Sequence, residues 1–139
     1  MFDPDPLIKT FLCLWFIIFG ACVGSFLNVF VYRLPQRKSL SYPPSHCPRC
    51  QHLIRWHDNL PVVGWIKLRG RCRDCRLPIS VRYPCVEGFG GVLFGGVFVV
   101  LDQFFSLSFY PLIVLTLFVS LLGISILAAC LIAYDKRKG

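Results

Sequence analysis

Three stretches of this chain carry no charge for long enough to suggest bilayer crossings, and one long polar segment interrupts them. Residues 10–32 run for 23 positions without Asp, Glu, Lys or Arg, residues 88–101 for 14, and residues 103–134 for 32. A helix rises about 1.5 Å per residue and the hydrocarbon layer is about 30 Å thick, so about 20 apolar residues span it. The pattern predicts a mainly α-helical membrane protein with three transmembrane helices, at 10–32, 84–104 and 111–134. Asp102 then sits at the far interface, and Pro111 suits a helix start, where its missing N–H costs nothing. A two-span arrangement of the second half is the alternative. Residues 1–9 are expected as an N-terminal tail, 33–87 as a loop and 135–139 as a basic tail. The first stretch is too long for a cleavable signal peptide. Its flank (Asp3, Asp5, Lys9) is not basic, and no small-residue cleavage site precedes the loop.

Within the first span, Gly20 and Gly24 form a small-residue pair one turn apart, followed by Ser25 and Asn28. Gly91 and Gly95 repeat the pattern in the second span. Small residues let helix backbones approach closely, so the two stripes are expected to pack together and hold the loop's ends side by side. Asn28 belongs either to that packing or to a functional polar face. Pro35 ends the first span. Pro43 and Pro44 make a rigid connector, and residues 59–65 form an apolar stretch expected at the membrane surface with Trp56 and Trp65. Residues 78–83 are expected to be extended.

Composition supports the membrane reading: 55% of residues are hydrophobic and the mean hydropathy is +0.62. Charge then orients the chain. Residues 33–87 contain 11 Lys or Arg against three acids, whereas the remainder carries four of each sign. The positive-inside rule places the loop and Lys136, Arg137 and Lys138 in the cytoplasm, with the N-terminus outside, in agreement with three spans. The loop's basic residues are dispersed and tethered to membrane at both ends. Anionic headgroups account for them, and no nucleic-acid partner is expected.

The loop also holds two Cys-x-x-Cys pairs, Cys47/Cys50 and Cys72/Cys75, with 21 residues between them. Four thiols in two tight turns are what a tetrahedral Zn²⁺ site requires. Two disulfides or free thiols are the alternatives, and a reducing cytoplasm disfavours the first. The prediction is therefore a cytoplasmic four-cysteine zinc-binding loop between helices 1 and 2. His46, His52 and His57 are alternative ligands, but four thiolates already complete the tetrahedron. Cys13, Cys22, Cys85 and Cys130 are expected as packing residues.

These residues resemble the N-terminal half of a prepilin peptidase. Gly24-Ser25-Phe26-Leu27-Asn28-Val29 leading to Tyr32-Arg33-Leu34-Pro35 is similar to the family's opening signature. Ser45-His46-Cys47-Pro48-Arg49-Cys50 and Asp58-Asn59-Leu60-Pro61-Val62 resemble its first knuckle and connector. Arg69-Gly70-Arg71-Cys72-Arg73-Asp74-Cys75, Pro78-Ile79-Ser80, Arg82-Tyr83-Pro84 and Glu87 resemble its second. The likeness is dense from about residue 20 to 87.

The resemblance implies a bacterial inner-membrane enzyme that cleaves leader peptides of type IV prepilin-like precursors. It then methylates the new N-terminus from S-adenosylmethionine. It implies two intramembrane aspartates, of which Asp135 stands where the first is expected. The second belongs to a Gly-x-Gly-Asp motif that this sequence does not contain. An aspartic peptidase needs two carboxylates sharing a proton. The expectation is thus an incomplete dyad, inactive as a peptidase alone, with a separate C-terminal half as partner. Asp135 as an interfacial charge is the plainer alternative, and so is a non-catalytic zinc module in a pilus or type II secretion assembly, or a gene fragment. Glu87, at the mouth of the second helix, is a candidate to hold a substrate's positive N-terminus. Pairing with Arg82 or a neighbouring helix end is the alternative for it.

Overall fold

A computed structural model describes residues 5–105 and 108–138. Residues 1–4 of the expected N-terminal tail, Asp3 among them, and Gly139 lie outside the described residues. Three long helices dominate: α1 (Pro6–Arg33), α3 (Arg82–Phe105) and α4 (Phe109–Lys138), with a one-turn α2 (Val63–Lys67) inside the loop. Among the described residues there is no strand, only two isolated bridges. All three long helices are long and apolar enough to cross a membrane. The chain is a multi-pass membrane protein with a cysteine cluster between its first two spans.

Each long helix overruns the span expected for it. Helix α1 starts at Pro6, inside the stretch expected as tail. Proline is preset for a first helical position, and the Asp5 carbonyl accepts the Lys9 N–H at 3.1 Å. Helix α4 starts two residues before Pro111. The first turn of a helix has no internal acceptors for its N–H groups, so a proline there removes nothing. It also runs past residue 134 through the expected basic tail. The Asp135 carboxylate is paired, and Lys136 and Arg137 suit the negative end of the helix dipole. Helix α3 begins at Arg82, so the expected extended segment ends two residues earlier.

Helix α1 packs along α3, and α4 closes mainly on α3. Gly20 and Gly24 lie directly on the α3 backbone. A Cβ on Gly24 would meet the Val86 oxygen at 2.7 Å and the Glu87 Cα at 2.9 Å, and one on Gly20 would strike the Gly90 carbonyl. The stripe's α3 side is Val86–Gly90 as well as Gly91 and Gly95, the latter two facing Ile17. Further along the interface Phe16 stacks on Phe98 at 5.2 Å and Phe19 meets Phe94 edge-on at 5.6 Å. At the end away from the loop, Lys9 pairs with Asp102 at 3.1 Å. This contact places Asp102 at the same end as the α1 N-terminus, as antiparallel spans require.

The apolar core cluster lies along these seams, whereas Leu7, Val92, Val114 and Phe118 face outward. Such a surface suits lipid, because packing rather than burial from water joins membrane helices. Cys22, Cys85 and Cys130, expected as packing residues, also face outward. An apolar surround accepts a thiol as a small hydrophobe, so hydropathy alone did not tell lipid from protein interior.

Candidate metal centre

The two ends of the loop emerge together from α1 and α3. Arg33 at the end of α1 donates to the Ser39 carbonyl at 2.9 Å and the Pro43 carbonyl at 2.7 Å, folding the proline-rich connector back. Two matching knuckles follow. In the first, the Cys47 N–H bonds to the His52 carbonyl (3.0 Å), the Gln51 N–H to Cys47 (2.9 Å) and the Ile54 N–H to Ser45 (2.8 Å). In the second, Cys72 bonds to Leu77 (2.9 Å), Arg76 to Cys72 (3.0 Å) and Ile79 to Gly70 (2.7 Å), in the same relative positions. Gln51 (φ 61) and Arg76 (φ 59) both adopt the left-handed backbone that closes such a turn. Gly70, at φ +66, opens the second knuckle beneath Trp65. A side chain there would strike that indole at 2.7 Å.

The knuckles bring their sulfurs face to face. Cys47 Sγ lies 3.8 Å from Cys75 Sγ and Cys50 Sγ 3.9 Å from Cys72 Sγ, and all four sulfurs fall within 4.8 Å of one another. A disulfide needs about 2.05 Å, so all four cysteines are free thiols. Zinc–thiolate bonds of about 2.3 Å in a tetrahedron put sulfurs about 3.8 Å apart. The four-sulfur cluster therefore fits a metal ion and is compatible with zinc. None of His46, His52 and His57 joins it: His46 Nδ1 faces the Pro44 carbonyl at 2.9 Å and His57 Nε2 lies 3.7 Å from Asp58.

The thiols are prepared unequally. The Cys50 and Arg49 amides aim at the Cys47 sulfur and lower its pKa to about 6. The His52 amide favours the Cys50 thiolate, but burial and the neighbouring sulfurs outweigh it and push the pKa up to about 12. Cys75 is raised in the same way, its help from the Leu77 amide outweighed by burial and Cys72. Four adjacent thiolates repel one another, and a bound cation removes that penalty.

Contacts invisible to sequence spacing hold this centre to the membrane helices. Arg73, inside the second knuckle, donates through Nε and Nη2 to Asp58 at 2.6 Å each. The Asp58 side chain is only 4% exposed, and these bonds hold its carboxyl below the usual carboxylate range. Trp65 is partly buried, and its Nε1 donates to the Ile79 carbonyl at 3.1 Å, tying α2 to the second knuckle. Trp56 remains 79% exposed.

At the mouth of α3, buried Glu87 accepts the Val62 N–H through Oε2 at 2.7 Å. Val62 has φ 60 and ψ −50, and the Val63 N–H bonds back to the Pro61 carbonyl at 2.6 Å. This is the strained, positive-φ form of γ-turn, rare for a β-branched residue. Glu87 thus pairs with the start of α2, and Arg82 is engaged elsewhere. Arg82 Nη1 and Nη2 donate to the two Asp135 oxygens at 2.8 Å each. Asn28 Nδ2 donates to the Tyr83 carbonyl at 3.3 Å, so Asn28 serves the helix seam.

Three helices long and apolar enough to cross a membrane, with a four-cysteine module held to the first two, define a membrane-anchored cysteine-loop protein. Residues 18–101 match the family described as the Bacterial Peptidase A24 N-terminal domain, and the chain belongs to that family. It is similar to the prepilin leader peptidase/N-methyltransferase of Myxococcus xanthus (strain DK1622), 51% identical over 89 residues covering 64% of this chain and 25% of the relative. It is also similar to the type 4 prepilin-like proteins leader peptide-processing enzyme of Escherichia coli O78:H11 (strain H10407 / ETEC), 44% identical over 86 residues, 49% of this chain and 32% of the relative. A third relative, the prepilin leader peptidase/N-methyltransferase of Dickeya chrysanthemi, is 36% identical over 118 residues, 66% of this chain and 42% of the relative. The chain thus spans between a quarter and about two fifths of these relatives' lengths. No solved structure matches it. The four cysteines and Glu87 lie inside the family match and Asp135 lies beyond it.

Proposed function

We propose that this chain is the N-terminal, zinc-clamped part of a prepilin leader peptidase/N-methyltransferase. It sits in the bacterial inner membrane with the loop and the Asp135 end in the cytoplasm. The observation that carries the reading is the four-sulfur cluster inside the segment shared with the family. The positive charge of residues 33–87 supports the orientation. Zinc, when bound, supplies four metal–thiolate bonds that join the two knuckles into one rigid unit. Arg73–Asp58, Trp65–Ile79 and Val62–Glu87 then pass that rigidity to α3. The loop so held forms the face on which a precursor's leader docks.

Glu87 lies at the mouth of α3 with Oε2 held by the Val62 N–H, so a role in holding a cleaved precursor's positive N-terminus requires release of that bond or use of Oε1. Cleavage requires a second carboxylate beside Asp135 and release of at least one Asp135 oxygen by Arg82. A separate C-terminal part of the enzyme is the expected source of that carboxylate. Among the described residues no glycine turn joins a strand to a helix to cradle a nucleoside, so the S-adenosylmethionine expectation rests on the family likeness. A second reading, a non-catalytic module binding precursors in a pilus or type II secretion assembly, is favoured by the Arg82 clamp on both Asp135 oxygens.

A chimera tests the first reading. The matching 89 residues of the Myxococcus xanthus relative are replaced by those of this chain, and prepilin processing is followed by mass. Cleavage and N-methylation should persist in the chimera and fail with Cys47→Ser/Cys72→Ser. A folded, zinc-loaded chimera that processes nothing would contradict the reading and favour the second.

A further inference from the structure

We propose that the loop carries a phosphate-binding cleft for the headgroup of an anionic phospholipid, beside the second knuckle and separate from the thiolate cluster. A cavity of about 290 Å³ is lined by Lys67, Leu68, Arg69, Arg73 and Arg76. That volume lies at the low end of small-ligand clefts, about 300–1,000 Å³. Four of the five lining residues are cations. Arg73 is committed to Asp58, which neutralises one charge. Among the described residues none of Lys67, Arg69 and Arg76 lies within ion-pair distance of a carboxylate. Asp58 also offsets part of the Lys67 charge, so the cleft's positive excess rests chiefly on Arg69 and Arg76, which suits a phosphate oxyanion.

Two of these side chains leave the backbone at fixed points. Arg69 (φ 52) and Arg76 (φ 59) are left-handed, each held by its own N–H, Arg69 to the Ile66 carbonyl at 2.9 Å and Arg76 to Cys72 at 3.0 Å. The backbone from which these two side chains extend is thus fixed.

Its surroundings select a lipid. The segment leading into Lys67 exposes Trp56 (79%), Leu60 (45%), Val63 (58%) and Ile66 (62%). The Val62–Glu87 bond fixes the same segment to the first turns of α3, where the chain enters the membrane. Apolar side chains at the bilayer edge enter the interfacial zone while adjoining cations meet headgroup phosphates. A free phosphate would use the cations and leave the apolar residues without a role.

The zinc-loaded full chain in zwitterionic detergent is titrated with phosphatidylglycerol, and bound lipid is counted by native mass spectrometry. Lys67→Gln/Arg69→Gln/Arg76→Gln is compared with Arg37→Gln/Lys38→Gln/Arg49→Gln, which removes equal charge elsewhere in the loop. Each basic group near an anionic surface contributes about fivefold in binding. The cleft variant should lose on the order of a hundredfold and the control less than tenfold. Equal losses would overturn a built cleft and leave diffuse attraction. Zinc content and protease resistance report folding. Lys67→Gln and Arg76→Gln singly should each lose about fivefold with zinc retained, and no loss in either overturns the cleft. Phosphatidylcholine should not bind there, and its binding with equal affinity would contradict anion recognition. Millimolar inorganic phosphate should leave phosphatidylglycerol bound, and displacement would overturn the lipid assignment in favour of free phosphate.

Discussion

Substituting alanine for Gly24 tests whether α1 and α3 are joined backbone to backbone. The new Cβ would lie 2.7 Å from the Val86 oxygen and 2.9 Å from the Glu87 Cα, whereas ordinary contact begins at 3.4 Å. The helices must therefore separate by about 0.5–0.7 Å, and no side chain can rotate away to prevent it. Overpacking of this kind costs about 1–3 kcal/mol. Better helix propensity returns about 1 kcal/mol, leaving a net loss of up to about 2 kcal/mol. Adding Gly20→Ala should cost less than a second full increment, because one separation relieves both clashes. Gly96 is the control: nothing lies within 4 Å of its Cβ position, so Gly96→Ala should be neutral or slightly stabilising. The assay is unfolding of the zinc-loaded chain in mixed micelles of rising SDS fraction, followed by tryptophan fluorescence. Equal stability of Gly24→Ala and Gly96→Ala would refute the close-packed seam.

Other consequences concern the loop. Asp58→Asn should cost about 1.5–3 kcal/mol of loop stability, read as faster proteolysis, because it removes a charge-assisted pair from a nearly buried site. The folded Asp58 carboxyl titrates below its unfolded value, so its contribution is complete above the unfolded value and lost as pH falls through the folded one. The gap between Asp58→Asn and the native chain should hold from neutral pH down to about 4 and close below that. Metal binding at pH 7.5 should release at least two protons per ion, since Cys50 and Cys75 are held protonated without a cation. Calorimetry in buffers of different ionisation enthalpy counts them, and release of fewer than one would contradict the thiol assignment. Glu87→Ala should destabilise the loop by about 1–3 kcal/mol by leaving the Val62 N–H without an acceptor. Glu87→Gln should cost less, and chelator-induced loop opening compares the two.

What the sequence made legible was local and periodic. Charge-free runs located three spans, and paired Cys-x-x-Cys turns located four sulfurs that the fold brings together. The spacing of Gly20 and Gly24 marked one face of α1 as an interface. Helix ends were less legible because hydropathy registers charge, whereas a helix stops where its backbone loses acceptors: Pro6 begins α1 and Lys136 stays inside α4. Pairings across long separations left no mark at all. Arg82–Asp135 joins residues 53 apart and Asp58–Arg73 residues 15 apart, and neither has a periodicity to betray it. Glu87 stood out as a carboxylate at a membrane mouth, yet its partner depends on a positive-φ turn at Val62 that propensity argues against.

The most direct test of the account is X-ray absorption at the zinc edge on the purified full chain, combined with a metal-to-protein ratio. One zinc per chain with four sulfur neighbours at about 2.3 Å is the expected result. Fewer than four sulfurs at the metal, or a zinc-free chain with Cys47, Cys50, Cys72 and Cys75 oxidised in pairs, would contradict it.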